Sequence, residues 1–172
     1  MEHDKALIEA LLFAAETPVT LERLREVLDM PREAVQAAVL ELMQEYQERR
    51  GGFTLEEVAG GIQFRTLPEY GTWIRKMKGR GPASLSPAAL ETLAVVAYRQ
   101  PIVKADIDRV RGVDAGGTLK GLVEKKLVRI VGRKDVPGKP ILYGTTRRFL
   151  EIFDLQDLSE LPTLREFGEL AE

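Results

Sequence analysis

The feature of this sequence that most restricts its fold is a change of hydrophobic period that occurs twice. In residues 1–50 apolar side chains recur every three or four positions, which is the spacing of amphipathic helices. Between Phe53 and Phe64 they alternate with polar ones, as in a pair of half-buried strands, with Gly60-Gly61 between the two runs. The same order returns after residue 85. We therefore expect two similar units of roughly 80 residues, each large enough for a small core.

The first unit is predicted to contain three helices and a hairpin, then a short helix near residues 72–77. Thr20 is suited to cap the second helix, and Pro31 to occupy the first turn of the third. The apolar positions of the first two helices predict the faces Leu7, Ile8, Leu11, Leu12 and Ala15, and Leu21, Leu24, Val27 and Leu28.

The second unit repeats this order at an offset of 83 residues, so that Pro18-Val19 corresponds to Pro101-Ile102. Three helices followed by a hairpin is the order of a winged helix, a helix-turn-helix variant. The predicted fold class is mainly α with small β wings (α+β), in two tandem winged-helix domains. The expected boundaries are an N-terminal winged helix at 1–78, a linker at 79–85, a C-terminal winged helix at 86–153 and an acidic, mobile tail at 154–172.

The net charge of −2 is unevenly distributed along the chain. It is −3 over residues 1–80, +7 over residues 81–148 and −6 over residues 149–172. The third helix of the first unit carries four Glu against Arg32, and its counterpart opens Asp114-Ala-Gly-Gly, so neither is suited to reading bases. We expect at most weak, non-specific DNA contact, through the basic second unit. A tandem winged-helix transcription regulator is the alternative function.

Enzymatic chemistry lacks the necessary residues. The chain has no Cys and one His, which excludes thiol nucleophiles and clusters of Cys or His ligands. The segment Gly132–Lys139 differs from a phosphate-binding loop in its spacing, and Pro140 stands where that loop needs Ser or Thr. We expect no catalytic, metal or cofactor site, and no membrane span or signal peptide.

Surplus apolar surface is the remaining signal. The segment Leu90–Tyr98 is apolar nearly all round, which calls for burial on more than one side. Leu40 lies off the core face of its helix. Either could pack between the units or against another chain. The alternatives are a central helix buried in its own domain and a lone exposed Leu, which is common on protein surfaces.

Three segments resemble the segregation and condensation protein B family of bacteria: residues 85–101, the run Arg111-Gly-Val-Asp114, and residues 127–146. The resemblance extends over essentially the whole chain, including the opening helix Ile8–Ala14. The run Ala115-Gly116-Gly117 departs from the more Ser-rich opening expected for the family.

This resemblance implies a non-enzymatic subunit of the bacterial SMC–kleisin complex, cytoplasmic and associated with the nucleoid. It further implies a homodimer joined through the N-terminal units. Such a subunit binds the kleisin, segregation and condensation protein A, and through it the SMC ATPase, in chromosome condensation and partition at cell division.

We expect the distinctive wing loop and the helix near it to contact the kleisin, and Leu40 to lie in the dimer contact. In the alternative, the wing residues Asp135, Pro137 and Gly138 only fix the loop. The kleisin-contact residues expected are Arg133, Lys134, Asp135, Pro137, Gly138, Tyr143, Val95 and Tyr98.

Overall fold

A computed structural model describes residues 2–79 and 85–163. These divide into two compact units, the first formed by residues 2–79 with 154–163 and the second by residues 85–153. Residues 80–84 of the expected linker and 164–172 of the expected tail lie outside the described residues.

The first unit has the predicted order of elements. Thr20 accepts a hydrogen bond from the Arg23 N–H at 3.1 Å and so caps the second helix. A 3₁₀ turn, Pro68–Tyr70, precedes the last helix. The elements are α1 (Glu2–Ala14), α2 (Leu21–Leu28), α3 (Arg32–Glu48), β1 (Phe53–Val58), β2 (Gly61–Thr66) and α4 (Gly71–Lys78).

Strands β1 and β2 form an antiparallel hairpin whose two turn residues, Ala59 and Gly60, both have positive φ. An isolated bridge between Val19 and Ile62 ties the segment before α2 to this hairpin. Leu7 and Val27, which the periodicity assigns to the buried faces, are exposed instead. The core cluster consists of Ile8, Leu12, Leu24, Val35, Val39, Leu42, Leu55 and Ile62.

The second unit adds a strand that periodicity did not predict. Its two residues, Ile102 and Val103, follow the helix break at Pro101 and pair with β5, giving an antiparallel sheet of order β3-β5-β4. The elements are α5 (Pro87–Arg99), β3 (Ile102–Val103), α6 (Lys104–Arg111), α7 (Gly116–Glu124), β4 (Val128–Arg133), β5 (Ile141–Thr145) and α8 (Arg147–Phe153). Both units therefore have the winged-helix order of elements.

Residues 154–163 differ from the detached tail expected there. The Leu155 carbonyl accepts a hydrogen bond from the Ala59 N–H at 2.8 Å, and Asp154 forms an ion pair with Arg65 at 3.1 Å. The physical reason is that the hairpin turn buries Ala59, whose N–H needs an acceptor. This segment belongs to the first unit.

Candidate functional site

The wing of the second unit is an exposed loop closed by hydrogen bonds of its own backbone. The Lys134 N–H donates to the Pro140 carbonyl at 2.9 Å, and the Lys139 N–H donates to the Val136 carbonyl at 2.9 Å. Gly138 has φ +83°, which together with the preceding Pro137 forms the type II turn that this residue pair predicts. The loop is therefore held in one shape without a partner.

The charged side chains Arg133, Lys134 and Asp135 of the wing differ in their contacts. Arg133 donates from Nη1 to the Lys139 carbonyl at 3.1 Å, so its guanidinium braces the loop. Lys134 and Asp135 are exposed, and their side chains form no ion pair or hydrogen bond within the described residues. The charged groups of Lys134 and Asp135 are therefore available to a partner.

Tyr143 lies in the sheet rather than in the loop. On β5 it stands opposite Ile102 of β3 and Ile130 of β4. A groove of about 230 Å³ separates this part of the sheet from α7, and its lining is mainly apolar. Its lining residues are Lys104, Gly116, Leu119, Lys120, Val123, Ile130 and Tyr143. Sequence reasoning missed the groove because Val123 and Ile130 come from different elements, and their alignment depends on the tertiary fold.

Helix α5 is buried on one side within its unit. The side with Leu93 and Val96 packs into the core. Leu90 and Tyr98, eight residues apart, lie on one exposed stripe of the helix, and Val95 is half-buried. Burial inside its own domain therefore does not account for the apolar surface of this helix.

The turn between α6 and α7 is fixed by an ion cluster. The Lys104 Nζ lies 2.7 Å from the Asp108 Oδ2, and Lys104 also forms an ion pair with Asp114. These hydrogen bonds raise the pKa of Lys104 to about 12, and hydrogen bonds from Lys104 lower the pKa of each carboxyl. Asp108 also accepts from the Ala115 N–H at 2.9 Å, which orients the start of α7. The cluster holds α7 in place beside the groove.

In the first unit, Leu40 is 54% exposed on the outer side of α3. Glu33 and Glu48, seven and eight residues away, lie on the same side of this helix. The other two Glu of α3, Glu41 and Glu45, pair with Lys5 of α1. The sequence predicts the short helix α4 but does not single out Trp73 and Met77, which are exposed on it.

The described residues show neither a metal site nor a membrane span. No three His, Cys, Asp or Glu side chains among them are grouped so as to hold an ion. No helix in the same part of the chain is long and apolar enough to cross a bilayer. Their buried side-chain polar atoms all have hydrogen-bond partners.

Comparison with known proteins gives a consistent family match. A family model described as segregation and condensation complex subunit ScpB matches residues 6–164. Segregation and condensation protein B of Syntrophotalea carbinolica is 55% identical over 168 residues, which are 98% of this chain and 85% of the relative. That of Myxococcus xanthus is 46% identical over 168 residues, 98% of this chain and 51% of the relative.

Among solved structures, a dimer of the ScpB N-terminal domain complexed with an ScpA peptide is 30% identical to this chain. The match has a TM-score of 0.42 and covers 44% of this chain and 95% of that one.

Proposed function

The chain belongs to the segregation and condensation protein B family, and we propose that it is a non-enzymatic subunit of the bacterial SMC–kleisin complex. In this proposal it binds the kleisin, segregation and condensation protein A, and through the kleisin it joins the SMC ATPase. The complex supports chromosome condensation and segregation during cell division, in the cytoplasm at the nucleoid. Family membership supports this role.

The observation that carries the kleisin contact is the exposed apolar surface of the second unit. The Leu90–Tyr98 stripe and the groove beside Tyr143 offer apolar side chains that the unit does not bury itself. Exposed apolar surface of this kind, rimmed by charges, is typical of protein–protein contacts.

We assign the contact to residues with different tasks. Tyr143, Tyr98 and Val95 supply apolar area, while Lys134 and Asp135 supply charge at the rim. Arg133, Pro137 and Gly138 keep the loop in the shape that presents these charges.

The decisive variant is Lys134→Glu. We expect it to weaken capture of purified kleisin by several-fold, since a rim charge changes association more than stability. Its melting temperature should stay unchanged because the Lys134 side chain forms no ion pair or hydrogen bond among the described residues. Arg109→Glu, on the exposed surface of α6, is matched in charge and should bind normally; the exposed ion pair with Asp106 that it removes should affect stability little. Equal kleisin capture by the wild type, Lys134→Glu and Arg109→Glu would place the contact elsewhere.

We further propose that the chain forms a homodimer through the first unit, with Leu40 in the contact, and touches DNA at most weakly and without sequence preference. Dimerisation and ScpA binding are recorded for the ScpB domain in the solved complex. A titration with random duplex at two salt concentrations tests the DNA proposal: weak binding that falls steeply with salt supports it. Nanomolar, sequence-dependent binding would favour a transcription regulator.

A further inference from the structure

Helix α4 packs only lightly within its own unit, where Ile74 is half-buried. None of its eight residues is buried, and it packs mainly on the 3₁₀ turn before it. Trp73 is 66% exposed and Met77 is 79% exposed. Isolated helices of this length are marginal in water, and most helical stability in proteins comes from packing of an apolar face. A helix with such a face therefore needs a surface to cover it.

The exposed face of α4 has a definite chemistry. Trp73 and Met77 are four residues apart, so they lie together on one side of the helix, with Lys76 at their border. Arg75 and Lys78 add two more cations, and α4 contains no acidic residue. Within the described residues none of these cations forms an ion pair. The matching surface must be apolar at its centre and acidic at its edge.

The outer side of α3 has this composition. Leu40 is its exposed apolar residue, with Glu33 and Glu48 on the same side. The one cation of α3, Arg32, is paired with Glu22 at 3.2 Å.

We propose that α4 of one copy packs its Trp73 face on the Leu40 side of α3 in a second copy. This inference rests on the homodimer of the proposed function and names its contact. In a twofold dimer each copy supplies both surfaces, so the contact occurs twice. The buried area is thereby doubled.

Trp73 is the only Trp in the chain, so its fluorescence reports on this face alone. The full-length protein is diluted from tens of micromolar to nanomolar concentration, with emission wavelength and acrylamide quenching recorded and the mass followed by sedimentation. We expect Trp73 to be shielded in the dimer, and to shift to longer wavelength and become quenchable over the range in which the dimer dissociates.

Variants on both surfaces test the contact. Leu40→Glu should raise the dimer Kd more than about tenfold and abolish the concentration-dependent shift of Trp73. Replacing Arg75, Lys76 and Lys78 together by Glu should weaken the dimer in the same direction, and adding Glu33→Lys and Glu48→Lys should restore part of the loss. Val113→Glu, at an exposed apolar position of the second unit, is the control and should leave the dimer intact.

The possible outcomes distinguish the failure of this contact from the failure of the homodimer itself. If the dimer dissociates without any change at Trp73, the inference is overturned and the homodimer stands. A chain that is monomeric at every concentration overturns both, while kleisin binding can still be measured separately. A Trp73 signal that responds only to added kleisin assigns this face to the kleisin and also overturns the inference.

Discussion

At the scale of single residues, Lys104 connects helix α6 to the turn before α7 through two carboxylates. Asp108 comes from the same helix, and Asp114 from the turn that leads into α7. Asp108 also accepts a hydrogen bond from the Ala115 N–H, so the geometry of the turn between α6 and α7 depends on this carboxylate. The sequence shows the charges, but only the tertiary fold brings residues 104 and 114 together.

The lowered pKa of Asp108 predicts an acid-sensitive contribution to stability. The carboxyl has a lower pKa in the folded state than its ordinary 3.8, so its contribution is present above that value and is lost as pH falls through the folded pKa. Lys104 has the opposite sign: its contribution is complete below 10.5 and is lost as pH rises through about 12.

The variant Asp108→Asn keeps an acceptor for the Ala115 N–H and removes only the charge. Melting temperatures of wild type and variant should differ most near neutral pH and converge as pH falls below 3.8 and through the lowered pKa of Asp108 in the folded protein. Curves that remain parallel over this range would show that the ion cluster does not contribute to stability.

At the scale of elements, the change of period predicts α1, α2, α3 and the β1–β2 hairpin because each buries one face against the same core. The strand β3 was missed because two residues are too few for a period. The exposed side of α4 was missed, and which side of α5 is exposed was left open, for a different reason. Periodicity identifies apolar residues, but only packing decides which of them, such as Leu90 and Leu93, become buried.

The packing of β5 on the end of α5 yields a second prediction. A Cβ at Gly144 would lie 2.8 Å from the Gln100 Oε1 and 2.9 Å from the Val131 Cγ1. Gln100 cannot easily move, because its Oε1 accepts from the Thr145 N–H at 2.7 Å. Gly144→Ala should therefore destabilise the second unit by about 1–3 kcal/mol in urea unfolding.

Gly121→Ala is the matched control for this substitution. Gly121 is inside α7, and a Cβ there meets nothing within 4 Å. The exchange should stabilise the unit by about 0.5–1 kcal/mol, since Gly is the poorer helix former. Equal effects at the two positions would refute the argument from close approach at Gly144.

At the scale of the whole molecule, the distribution of charge and of Gly and Pro residues along the sequence indicates two units and an acidic end. It does not show that residues 154–163 belong to the first unit, because the contact with Ala59 links positions almost a hundred residues apart. The kleisin residues expected from the resemblance fall in three places: the wing loop, the sheet groove and the α5 stripe. No local pattern encodes that distribution.

The contacts of residues 154–163 with the β1–β2 hairpin predict that removing these residues lowers the stability of the first unit. A chain ending at Phe153 loses the Leu155 carbonyl that accepts from the Ala59 N–H and the Asp154 carboxylate that pairs with Arg65. We expect a loss of roughly 1–3 kcal/mol in the unfolding of the first unit, mostly from the unpaired N–H. A chain ending at Thr163 keeps both contacts and serves as the comparison. If both truncated chains unfold like the full chain, residues 154–163 do not stabilise that unit.

The central claim, that this chain is a kleisin-binding subunit, is tested most directly by affinity purification of the tagged protein from its own cells. Mass spectrometry should identify a kleisin and a long coiled-coil ATPase among the co-purified proteins. Both should be depleted when the tagged chain carries Lys134→Glu together with Tyr98→Ala. Recovery of specific promoter DNA, with neither of these proteins present, would contradict the account.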